Sequence, residues 1–237
     1  MRTSLSAVPL LLVAAVLAGC GGKKTASQSI PSTAPAPTTV PTTTESASIA
    51  LTVYRVHDGI LSAESVTVPA TQAVATAALR ALGVDGGVTI AGGTATVDAP
   101  DASDDQVAEI VYTLTQFPTV SRVDVAGHTG LTRADEASYA PLILVDAPAA
   151  GATVPAAIRV TGSAVVFEAT LVVALVRDGT VLEKQTVTAT AGAPERGTFE
   201  TTLHAPSPGA ATIQAYAPSA EDGSHQHEVD VPVTVAG

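Results

Sequence analysis

The sequence predicts a small α+β domain, with an antiparallel or mixed sheet and two helices, followed by an all-β sandwich. Three observations carry this. Helical periodicity occurs in two segments, both before residue 120 and both flanked by short strand-like runs. After Tyr139 every apolar run is strand-like and punctuated by proline and glycine. The 46% hydrophobic content comes mostly from Ala and Val, with only 3% aromatic residues and no Trp, a composition suited to sheet cores of small and β-branched side chains.

The chain has 237 residues, enough for two domains that need neither metals nor disulfides to hold a core. Its formal charge of -11 argues against a nucleic-acid partner, because phosphate-backbone affinity comes from clustered Lys and Arg, and no basic stripe is present. The sequence contains 1 cysteine, so no internal disulfide can form.

Residues 1–19 have a signal-peptide plan: a weakly basic start at Arg2, an apolar core from Val8 to Leu17, and small residues before Cys20. Leu17-Ala18-Gly19-Cys20 resembles a bacterial lipobox, with cleavage before Cys20 and diacylglycerol on its sulfur. The expected location is therefore the outer face of the cytoplasmic membrane, anchored by lipid. Residues 20–48, rich in Thr, Ser and Pro, have almost nothing to bury and read as a tether. Extended at about 3 Å per residue, it reaches up to about 80 Å, enough to enter a cell-wall layer. Thr42, Thr43 and Thr44 beside Pro41 also have the composition of glycosylated stalks.

Within 49–137, Leu51, Val53 and Val56 open a strand, His57-Asp58-Gly59 turns it, and a second strand runs through Val66 and Val68 to Pro69. Thr71 is placed to cap a helix with apolar positions at Val74, Ala77, Ala78, Ala81 and Leu82, ended by Gly83. Two short strands then flank Gly92-Gly93. A second helix is signalled by the Ser103/Gln106 capping box, by Asp104 and Asp105 in its first turn, and by the face Val107, Ile110, Val111, Leu114 and Phe117. Val120, Val123 and Val125 give a closing strand.

Residues 140–236 contain seven strand-like runs: 142–145, 158–160, 169–177, 181–190, 198–204, 212–217 and 229–235. Asp178-Gly179 is a hairpin signal between the third and fourth. Together they predict an immunoglobulin-like sandwich without the cysteine pair of antibody domains. The apolar stretch from Ala164 to Val176 is too short to cross a bilayer and is interrupted by Glu168, so it reads as a central strand buried on both sides.

Catalytic patterns are lacking: there is no Gly-x-Ser-x-Gly, no phosphate loop with a Lys, and no His-Glu-x-x-His. The chain is expected to be no enzyme and to need no cofactor. His225 and His227, two apart beside Glu228, would share one face of a regular strand and are weak candidates for a metal site, with a plain strand start as the stronger reading. Asp98, Asp101, Asp104 and Asp105 lack EF-hand spacing and are accounted for by a solvated loop and a helix N-terminus.

The segments Ala75 to Leu82, Ala95-Thr96-Val97-Asp98 and Gln106 to Pro118 resemble the sporulation and spore germination domain called GerMN. Relatives carry a longer Gly-Pro-containing connection where Gly83 here leads almost directly to Val88. The segments Val166 to Thr170, Thr190 to Phe199 and Pro218 to Ser224 are similar to the immunoglobulin-like domain of bacterial spore germination proteins. These resemblances imply a non-enzymatic interaction or assembly module, with envelope or membrane proteins as partners. The alternative is a lipoprotein that binds cell-wall peptidoglycan or polysaccharide, which the scarcity of aromatics for sugar stacking weakens.

Overall fold

The computed structural model describes residues 47–237. Leu17, Ala18, Gly19 and Cys20, and with them the leader and nearly all of the tether, lie outside the described residues. Strands β1 (Ser48–His57) and β2 (Ile60–Pro69) pair antiparallel through a turn at Asp58 (φ 53°) and Gly59 (φ 78°). Two consecutive positive φ values give the turn the twist that a two-residue hairpin requires.

This hairpin forms a sheet of its own rather than extending the sheet that follows. Its edges are taken by other partners. On the β1 edge, side chains of helix α2 (Asp104–Leu114) and the residue two beyond its end replace a neighbouring strand. Glu109 Oε1 accepts from Val56 N at 2.9 Å, Thr113 Oγ1 accepts from Tyr54 N at 2.9 Å, and Gln116 Nε2 donates to the Thr52 carbonyl at 2.9 Å. The spacing works because seven residues of helix rise about 10 Å while four residues of strand span about 13 Å, so the two series stay in step. On the β2 edge, Leu61 N donates to Tyr139 O, and Ala63 O and Ser65 N bond both sides of Ala150 at 2.8–2.9 Å.

Helix α1 (Val74–Ala81) starts without a side-chain cap; Thr71, expected to cap it, lies two residues before the N-cap position Ala73, and its Oγ1 accepts from Ala73 N and not from a helical N–H. Its C-terminus closes as expected. Gly83 sits at φ 82°, with Gly83 N donating to Arg80 O and Val84 N to Leu79 O. This is the double bond of a glycine-terminated helix. Helix α2 has the full capping box, Ser103 and Gln106 each accepting from the other's backbone N–H.

Strands β3 (Val88–Ala91), β4 (Thr94–Val97), β5 (Arg122–Val125) and β6 (His128–Leu131) form a second sheet in that order. The β4–β5 pair is parallel, with α2 as the connection. Leu79, Val107, Ile110, Val111 and Leu114 pack on Ala95, Val97, Val123 and Val125 to form the core of this half. Strand β6 is additional to the sequence reading, in which Val120, Val123 and Val125 form the closing strand: Ala126 (φ 51°) and Gly127 (φ 81°) make another tight turn and one more strand follows.

All seven predicted strand runs of the second half appear. They are β7 (Ile143–Ala147), β9 (Ala157–Ala164), β10 (Thr170–Arg177), β11 (Thr180–Thr188), β12 (Gly197–His204), β13 (Gly209–Pro218) and β14 (His225–Val235), with a two-residue β8 (Thr153–Val154) added. One sheet is ordered β11-β10-β13-β14-β8 and the other β12-β9-β7. Ile158, Val160, Phe199 and Leu203 from the smaller sheet meet Leu171, Val173, Ile213 and Val233 from the larger in one core.

The stretch from Ala164 to Val176 is not a single central strand. A 3-10 turn at Phe167–Ala169 breaks it, because here the chain leaves the three-stranded sheet and crosses to the five-stranded one. Only β10, held between β11 and β13, has the expected central place.

Candidate functional site

Two features stand out from the packed scaffold, one at the end of the sandwich and one between the two halves. At the sandwich end, the crossover turn sets Glu168 at φ 53° and Ala169 at φ 55°, and leaves Phe167 76% exposed. Consecutive non-glycine residues in the left-handed region cost free energy and persist only where surrounding bonds enforce them. Those bonds are present. Ala169 N and Ala193 N both donate to Val166 O, and Ala189 N donates to Ala169 O. Gly192 lies so close that a Cβ there would come within 2.7 Å of Ala169 N. The strain is therefore fixed by the neighbouring loop, and the aromatic ring is held out in solvent.

Phe167 stands over a cleft of about 730 Å³ between its own turn and the turn after β13, with Val165, Ala217, Pro218, Glu221 and His227 among its walls. Glu168, Glu221 and Asp222 make this end acidic. An exposed ring on a braced turn, above a cleft and inside an acidic rim, has the chemistry of a protein contact: an apolar anchor with polar surroundings.

The junction between the halves is built around Arg133. Its guanidinium lies 4.9 Å from the ring centroids of both Tyr54 on β1 and Tyr112 on α2. Nη1 donates to Asp146 Oδ1 on β7 at 2.9 Å, and the Tyr54 hydroxyl donates to the same oxygen at 2.5 Å. Burial, reinforced by the Asp146 carboxylate, pushes the Tyr54 hydroxyl far above its ordinary pKa, so it is a fixed donor. Burial alone would lower the Arg133 pKa, and the oxygens of Tyr54 and Asp146 more than reverse that. Beneath this group Tyr54, Leu61, Ala108, Tyr112, Leu144 and Ala149 form a small core shared by both halves.

The histidine pair is not arranged as a regular strand would place it. A bulge opposite Tyr216 shifts the register between Ala215 and Ala217, and His227 takes φ 55°, so the two-residue alternation is broken between the histidines and the core-facing valines. His225 instead stacks on the Tyr216 ring at 3.4 Å between centroids, and its Nδ1 meets Glu228 Oε2 at 2.5 Å. His227 lines the Phe167 cleft. Asp104 and Asp105 occupy the first turn of α2, and Asp98 and Asp101 lie on the loop before it. Among the described residues, no group of three or more His, Cys, Asp or Glu side chains is placed to hold a metal.

Sequence reasoning missed both features that the structure brings forward. In the sequence Phe167 belongs to an apolar run that predicts burial, and nothing local distinguishes it. For Arg133 the signal was faint: an arginine in an otherwise acidic loop, with two tyrosines upstream.

Comparison with known proteins adds one family. Residues 142–224 match the profile described as the immunoglobulin-like domain of bacterial spore germination. No curated protein matches. Among solved structures, the crystal structure of an engineered protein is 15% identical, with a TM-score of 0.29, and the match covers 58% of this chain and 38% of that one. That likeness is too low to carry an argument, and this chain spans well under half of that protein's length.

Proposed function

We propose that this protein is a non-enzymatic assembly module of the cell envelope. In this reading it is anchored by lipid on Cys20 to the outer face of the cytoplasmic membrane and works in spore germination or a related envelope complex. Residues 49–137 serve as a GerMN-like α+β module, and residues 140–236 as the immunoglobulin-like module that presents a contact surface. The match over residues 142–224 supports the germination-related module. The observation that carries the interaction reading is the Phe167 tip, an exposed aromatic on a strained turn braced by backbone hydrogen bonds. A ring held in water at a conformational cost is retained where a partner covers it.

The test uses the full chain in intact cells. A photo-crosslinking amino acid at Phe167 is expected to trap one envelope protein, whereas the same group at the exposed Ile90 of β3 is not. Cys20→Ser should move the protein from the membrane to the soluble fraction and abolish the adduct while leaving the fold unchanged. Identical adducts from both positions, or a Cys20→Ser protein that stays on the membrane, would overturn the reading.

A further inference from the structure

A second cleft, of about 610 Å³, opens beside the junction and shares Val165 with the Phe167 cleft. Its volume falls within the usual range of small-ligand sites, about 300–1,000 Å³. Two of the protein's few arginines line it, Arg133 and Arg196, on a chain whose net charge is -11. Burial raises the Tyr112 hydroxyl pKa while both guanidinium groups act to lower it, which places both charges near the same phenol.

The two arginines differ in how they are held. Arg133 is neutralised by Asp146. Arg196 is held by neutral acceptors: Nη1 donates to Ser163 Oγ at 3.3 Å and Nη2 to the Pro141 carbonyl at 2.8 Å. Among the described residues it has no carboxylate at ion-pair distance, unlike Arg55, Arg133 and Arg159. A guanidinium offers five donors in a planar fork suited to a carboxylate, and the bonds to Ser163 and Pro141 fix its plane without satisfying its charge.

We propose that this cleft binds the terminal carboxylate of a short peptide with small side chains, with Arg196 as the anchoring residue. Among the side chains that line the cleft, two guanidinium groups and the Asp146 carboxylate leave one net positive charge. The Glu136 carboxylate acts on the same Tyr112 phenol from outside the lining, so the site suits a monoanion held at Arg196 and not a dianionic phosphate. The walls suit small side chains, because Ala134, Ala137, Ala140, Ser163 and Thr198 offer only short apolar and hydroxyl contacts, with no deep apolar or aromatic pocket to reward a large one.

The test is amide NMR titration of the folded protein with acetyl-Ala-Ala as the free acid, the same dipeptide as its C-terminal amide, and sodium acetate. The free acid should give saturable shifts at Ser163 and Thr198, and the amide none. Acetate should bind at least about tenfold more weakly than the dipeptide acid, because it lacks the contacts with the walls. Arg196→Gln should weaken the dipeptide acid by about tenfold or more, and Arg196→Lys by less, as expected for loss of a charge-assisted bond. Arg159→Gln, which removes an exposed charge paired with Glu200 outside the cleft, should leave binding unchanged. Equal shifts from acid and amide, no shift with either, or acetate as tight as the dipeptide would each overturn the proposal. The wild-type comparison of acid with amide decides it even if an Arg196 variant fails to fold.

Discussion

At the level of single residues, the close approaches and charges that fix the structure are mostly between positions far apart in sequence. Gly162 lies within β9 with no unusual φ, yet a Cβ there would meet the Leu144 carbonyl at 2.2 Å and the Phe199 ring at 2.5 Å. Gly162→Ala is therefore expected to cost about 3 kcal/mol or to prevent folding, measured by urea unfolding. The tight turn at Asp58-Gly59 was legible because its requirement is local, whereas Gly162 is required by a strand and a ring that sequence cannot place beside it. Arg133 makes the same point with charge. Arg133→Met keeps an apolar stem between the two tyrosines but leaves Asp146 without its cation, for an expected loss of about 2 kcal/mol. Asp146→Asn in the same chain should recover part of that loss, and a double-mutant cycle measures the coupling.

At the level of elements, helix α2 shows why the elements were readable and their arrangement was not. Its capping box and the Val107, Ile110, Val111, Leu114 stripe are periodic and local, and both are present in the structure. Two further faces were not read: Ala108 and Tyr112 enter the junction core, and Glu109, Thr113 and Gln116 bond the edge of β1. Polar residues at that spacing look like a solvated face until a strand edge lies beside them. Thr113 is fully buried, so Thr113→Val strands the Tyr54 N–H and should cost about 1–3 kcal/mol, seen as a lower Tm. Glu109 behaves differently, because burial raises its carboxyl above the usual range despite the bond from Val56 N. The native state then holds the proton more tightly than the unfolded chain. Stability contributed by the protonated form is complete at low pH and is lost as pH rises through the ordinary carboxylate range and on through the raised native value. Glu109→Gln keeps an acceptor for Val56 and removes the charge. Its Tm should match that of the wild type below about pH 4 and exceed it at pH 7.

At the level of the whole molecule, the two halves that the sequence divides near residue 138 are joined as one compact unit over Glu45–Gly237. Strand β7 explains the joining. Ile143 and Val145 face the sandwich core while Leu144, between them, faces Tyr54, Leu61 and Tyr112 across the junction. An unbroken apolar run is the signature of a strand buried on both faces, so this much was present in the sequence; which element covered the second face was not. Because the hairpin bonds α2 along one edge and Ala150 and Tyr139 along the other, neither half can open without exposing its apolar surface or unpaired backbone groups. Unfolding of the described unit should then be a single calorimetric transition, with the van't Hoff and calorimetric enthalpies equal. Leu144→Asp places a charge only at the shared core and leaves the sandwich interior intact. It should divide the transition in two, the half containing α1 and α2 melting first, because the sandwich retains its own larger core. Two transitions in the wild type would mean that the junction couples the halves weakly, and that Arg133, Tyr54 and Asp146 orient two independent modules rather than fuse them.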